Sequence, residues 1–169
     1  FMLAPSIMEM FIQPLWPAYG EAISRNDIPW IQTTLRRSLL YSVGCILLFS
    51  TFLVVFGETI LTCWARSPIE PSFALLAGAA MWSVFSVAGS ATAAFLNGTG
   101  AIRFQAITAV LTAVAAVSAK ILFGERFGVA GVVWGTVTAY LVFTALPMSL
   151  FVPYLIRQAS SRMAQSNAG

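Results

Sequence analysis

The chain has few residues able to do chemistry: nine basic and six acidic side chains in 169 residues, two cysteines and no histidine. Glu9 stands alone inside an apolar run, Lys120 lies near the end of another, and Arg36, Arg37 and Arg103 stand where apolar runs begin. An ionisable group at membrane depth costs roughly 3 kcal/mol or more unless it is paired, protonated or set in a hydrated cavity. These five residues are therefore the candidates for an ion or substrate path. Each has a plainer reading: Glu9 near an interface, Lys120 snorkelling its amine to the surface, and the arginines setting topology.

The absences narrow the chemistry. Without histidine, no histidine-based triad can form, and Cys45 with Cys63 offers no metal-ligand cluster. Along one helix these cysteines are too far apart for a disulfide and read as apolar filler. No G-x-x-x-x-G-K loop for nucleotide phosphates and no nucleophile elbow occurs, and the carboxylates are too dispersed for a paired-acid glycosidase. The expectation is a protein that is not an enzyme and uses no cofactor or metal.

The composition points to a membrane. Hydrophobic residues make up 59% and charged residues 9% of the chain, against roughly a quarter charged in soluble domains, and the mean hydropathy is +0.84. The net charge of +3 is scattered at segment ends rather than gathered on one face, which argues against nucleic acid and for lipid headgroups as the partner.

The pattern predicts an all-α, polytopic transmembrane bundle of about five spanning helices. The apolar segments fall at about residues 1–19, 38–61, 73–96, 104–123 and 129–154. Residues 1–156 then form the bundle and residues 157–169 a polar, frayed cytoplasmic tail. Residues 14–38 read as a polar interruption in which Pro14 and Pro17 oppose a helix, while Asp27 is placed to cap a new one with Pro29 near its start. Trp64 and Arg66 fit an interfacial anchor, residues 67–72 a connector, and Asn97-Gly98-Thr99-Gly100 a helix stop rather than a glycosylation site. Ser86, Ser90 and Ala94, with Gly89 and Ala93, form small-residue stripes suited to helix packing; with Thr92, the serines are alternatively the lining of a hydrated path. Gln105, Thr108 and Thr112 share a mildly polar face. Gly131 and Gly135 make a small-residue packing motif, and Pro147 is expected to kink its helix.

Alternation along these segments puts Arg25, Arg36, Arg37, Arg103, Arg157 and Arg162 on one side and Arg66, Lys120 and Arg126 on the other. The richer side is expected in the cytoplasm, with the C-terminus. The opening Phe1-Met2-Leu3-Ala4-Pro5 has neither a basic leader nor a cleavage pattern. It reads as the inside of a span, and so as part of a longer transporter.

Three stretches carry a family resemblance. Pro14-Leu15-Trp16-Pro17-Ala18-Tyr19-Gly20-Glu21-Ala22, followed by Thr34-Leu35-Arg36-Arg37-Ser38-Leu39, resembles the middle loop of bacterial polysaccharide flippases, the O-antigen or lipid-linked-oligosaccharide exporters of the MATE-like superfamily. Leu96-Asn97-Gly98-Thr99-Gly100 with Ile102-Arg103-Phe104-Gln105-Ala106 is similar to that family's helix-stop loop. Phe127-Gly128-Val129-Ala130-Gly131-Val132-Val133-Trp134-Gly135-Thr136 is similar to the start of a later helix. The resemblance implies the C-terminal lobe of a two-lobed transporter in the inner membrane. Its partners would be the N-terminal lobe and a lipid-linked glycan, carried by alternating access on an ion gradient. It also implies a cationic cavity, to which only Lys120 here could contribute at depth, so either the other lobe supplies that charge or the cargo is less acidic. The alternatives are a multidrug or cation antiporter of the same superfamily, with Glu9 as the ion site, and a non-transporting scaffold of a polysaccharide-synthesis complex.

Overall fold

The computed structural model describes residues 1–65 and 72–166, with side chains at 61, 63–65 and 158–166 left out of the description. The expected anchor at Trp64 and Arg66, the connector at residues 67–71 and the side chain of Arg162 lie outside the described residues.

Every described element is helical: α1 (Leu3–Ile12), α2 (Leu15–Ser24), α3 (Ile28–Ala65), α4 (Phe73–Thr99), α5 (Ile102–Tyr140), a π-helical turn at Leu141–Ala145, and α6 (Leu146–Ser166). Three stretches are long and apolar enough to cross a membrane: Ile28–Ile60, Phe73–Thr99 and Ile102–Arg157.

Within residues 1–19 the helix is interrupted: Pro14 lacks the N–H that would continue α1, and the run is divided into two helices of 10 residues each, neither of which alone has the ~20 residues of a crossing. The polar interruption is itself largely helical. Asn26 takes a positive φ of 56°, the Asp27 N–H donates to the Ala22 carbonyl at 2.9 Å, and the Asp27 carboxylate accepts from the Trp30 N–H at 3.1 Å. This cap starts α3 at Ile28, ten residues before the expected Ser38: Asp27 satisfies the first turn, Pro29 sits where its missing N–H is harmless, and Ile28, Ile31 and Leu35 bury one face against the core.

α4 begins where Ser72 caps the Leu75 N–H at 3.3 Å. It ends at Gly100, in the left-handed region at φ 73°, with the Ala101 N–H on the Leu96 carbonyl, a glycine stop of the kind the sequence suggests.

The stretch Ile102–Arg157 is folded double. Gly128 (φ 62°, ψ −146°) breaks α5, and the residues after it return along the residues before it. A Cβ on Gly131 would strike the Phe123 carbonyl, one on Gly135 would lie 2.8 Å from Ala119, Thr112 and Thr144 share a hydrogen bond of 2.5 Å, and the rings of Phe104 and Phe151 stack at 4.0 Å. The Gly131 and Gly135 motif thus packs within the chain, helix backbone on helix backbone. In the π-helical turn the Leu146 N–H reaches back five residues to the Leu141 carbonyl, immediately before Pro147, which has no N–H to give. α6 then runs on to Ser166, where a frayed tail is expected from composition.

α4 is the hub. α1 and α2 run alongside it in the same direction: Ser83 donates to the Phe1 carbonyl at 3.3 Å, and Gly98 admits Tyr19 and Gly20. α3 lies antiparallel to it, with Gly57 against Leu76. The returning arm of α5 runs parallel to it, with the Trp134 indole donating to the Ala74 carbonyl at 3.0 Å. The buried core gathers at the Gly100 end, from Tyr19, Ile28, Ile31 and Leu35 with Ala91, Ala94, Phe95 and Leu96.

Candidate functional site

A cleft of about 680 Å³ opens between α4 and the two arms of the α5 hairpin. Each helix lines it with residues four apart, which stack on one helical face. From α4 come Trp82, Ser86 and Ser90, from the outgoing arm Thr108, Thr112 and Ala116, and from the returning chain Thr136, Tyr140, Thr144 and Met148. Gln105 enters near the Gly100 end and donates its amide to the Ala93 carbonyl at 3.1 Å. Among the described residues, no charged side chain lines the cleft.

Two of the hydroxyls here suit an apolar surround because their protons are used within their own helices. Thr108 donates to the Phe104 or Gln105 carbonyl and Thr136 to the Val132 carbonyl, at 3.0 to 3.1 Å. Such back-bonding satisfies the donor within its own helix and leaves oxygen lone pairs free to accept. Tyr140 is set edge-on to Trp82 at 5.5 Å. Its hydroxyl presses on Gly89, where any larger residue would collide with it. Tyr140 and Gly89 also border a second cavity, of about 340 Å³, between α3, α4 and α6, so the tyrosine partitions the two.

The sequence candidates are dispersed around this cleft rather than within it. Glu9 is half-buried on α1 and accepts from the Ser90 hydroxyl at 2.9 Å. Since Ser90 lines the cleft, the carboxylate stands one side chain away from it. Lys120 is exposed, is absent from the cleft lining and does not meet Glu9. Arg103 is exposed beside Ile102, at the mouth of the cleft. Arg36 and Arg37 are exposed on α3 near the Gly100 end, and Arg36 borders a separate apolar groove facing α6. Of the polar faces read from sequence, Ser86 with Ser90 and Gln105 with Thr108 and Thr112 meet in the cleft, while Thr92 lines the second cavity. Thr136, Tyr140 and Thr144 complete the site. Their spacing of four was a legible signal, masked by the assumption that this helix only packs through Gly131 and Gly135.

Compared with known proteins, the chain matches no family model, no curated protein and no solved structure. What the site can do therefore follows from its chemistry. It accepts hydrogen bonds, offers aromatic faces, repels neither sign of charge, and lies among helices that carry a glycine break, a π-helical turn and two prolines.

Proposed function

We propose that this chain is one lobe of a polytopic secondary transporter that moves a lipid-linked oligosaccharide across the cytoplasmic membrane by alternating access. The observation that carries the reading is the uncharged, hydroxyl-lined cleft inside an otherwise apolar bundle, an environment suited to a cargo rich in hydroxyls. The three stretches that resemble polysaccharide flippases support it. So do the bend points at Gly128, Leu141–Ala145 and Pro153, since rocking helices need places to flex. In this reading the α5 hairpin crosses the bilayer twice, the basic Gly100 end faces the cytoplasm with the C-terminus, and an N-terminal lobe supplies whatever cationic surface the diphosphate needs.

The combined substitution of Gln105→Leu and Thr112→Val, in cells whose surface glycan depends on this protein, is expected to reduce exported glycan at unchanged protein level. Undiminished export would reject the cleft as the cargo path, and a scaffold without transport of its own would give that result.

One observation favours a second reading, a cation antiporter of the same superfamily: the Glu9 carboxylate is coupled through Ser90 to the cleft. Loss of drug efflux in Glu9→Gln with surface glycan intact would select it.

A further inference from the structure

The groove between α3 and α6 lies apart from the cleft. It measures about 360 Å³ and is bordered by Gln32, Leu35, Arg36, Leu39, Leu40 and Ile156. Gln32, Arg36 and Leu40 are four residues apart and so stand one above another on α3, about 6 Å per step. The groove itself is apolar, walled by Leu35, Leu39, Leu40 and Ile156 and by the aliphatic stems of Gln32 and Arg36, whose polar ends stand exposed at its edge. An apolar trough with a cation at its rim follows the order of a lipid, acyl chain within and phosphate at the edge.

The depth agrees with this order. Leu35 and Leu39 also border Ala88 and Thr92 of α4, which puts Arg36 roughly two turns inside the Gly100 end. There an arginine stem can lie along acyl chains while its head reaches the phosphate layer. The charge agrees as well. Arg37 follows Arg36 and Arg157 follows Ile156, both exposed. The acids described at this end are engaged elsewhere, Glu21 with Arg25 at 2.6 Å and Asp27 in the α3 cap, and neither borders the groove.

We propose that this groove holds one anionic glycerophospholipid, its phosphate on the Arg36 guanidinium and an acyl chain against Leu35, Leu39, Leu40 and Ile156. The inference depends on the chain lying in a bilayer and is independent of any cargo.

The test places the intact chain in nanodiscs of mixed dioleoylphosphatidylglycerol and dioleoylphosphatidylcholine and reads retained lipid by native mass spectrometry. Phosphatidylglycerol is expected to be retained in preference, and Arg36→Gln to lower that preference about fivefold. Arg36→Lys should largely preserve it, which separates lost charge from lost fold, and Arg126→Gln at the hairpin tip should leave it unchanged. Leu40→Gln should weaken retention of both lipids. Equal retention of the two lipids by the unsubstituted chain would overturn the proposal, as would a preference that survives Arg36→Gln. Displacement of the lipid by inorganic phosphate would overturn it by removing the acyl contribution. Dimers that Leu40→Gln dissociates would do the same by showing a second copy of the chain in the groove.

Discussion

At the Gly100 end of the bundle Tyr19, Ile31, Phe95 and Leu96 interlock with exposures of 0 to 2%. Toward Gly128 the arms of α5 meet through glycines and a threonine pair, and on the neighbouring α3 Leu48 remains 76% exposed. In the proposed bilayer placement, water and headgroups are close at the basic end, where α2 carries exposed Glu21 and Arg25, and burying aromatic surface is rewarded as in a soluble core. Deeper in lipid, under the same proposal, an exposed leucine costs nothing, so helices associate through close backbone approach and hydrogen bonds. The first region suits a fixed foundation; the second suits parts that move.

The largest expected effect is on the foundation. Tyr19 meets Trp30 at 5.9 Å and Phe95 at 5.6 Å, both edge-on, and Tyr19→Ala should cost about 3–5 kcal/mol by thermal unfolding in detergent. A loss no larger than that of any hairpin substitution would erase the contrast between the two regions. Next comes Gly131→Ala. Its methyl would collide with the Phe123 backbone, which cannot yield as a side chain can, and about 1–3 kcal/mol of overpacking strain is expected. Accessibility of the hairpin to a lipid-phase probe should rise with it.

Asp27→Ala removes the α3 cap and should cost about 1 kcal/mol; slower amide exchange at Ile28, Trp30 and Ile31 would contradict this. Thr112→Val breaks the bond to Thr144 and is expected to cost only about 0.6 kcal/mol. A several-fold larger loss would mean that the hairpin is glued by hydroxyls more than by glycines.

A pH dependence sharpens the same contrast. Burial pushes the Tyr19 phenol above its ordinary 10.0, with the Ser38 hydroxyl working the other way. The phenol oxygen nonetheless has no hydrogen bond of good geometry. Unfolded, the residue ionises near 10.0; folded, it keeps its proton to higher pH. Its contribution to stability is therefore complete below pH 10.0 and declines as pH rises beyond that. Tyr19→Phe should lessen the decline, as followed by unfolding midpoints at successive alkaline pH values, and should change stability little at neutral pH because no well-formed hydrogen bond is lost.

Local signals were legible where they act over a few residues. Asp27, Ser72 and Gly100 cap or stop their helices as their types dictate, and Gly131 with Gly135 packs closely. The interruption at Pro14 shows what hydropathy alone does not convey: one missing N–H divides the apolar run of residues 1–19 into two helices. The hydrogen bond from Ser90 to Glu9 joins residues 81 positions apart, and no periodicity announces it.

The sequence by itself determined a helical, membrane-suited chain, its helix ends and the gathering of arginines near one set of those ends, because propensity, capping and hydropathy are written residue by residue. Only the tertiary structure decided that Lys120 stands outside the cleft, that Glu9 reaches it through Ser90, and that stripes from α4 and both arms of α5 face one another. In so apolar a chain nearly every helical face is compatible with lipid, so which face turns inward is set by the shapes of the neighbouring helices and not by the pattern along any one of them.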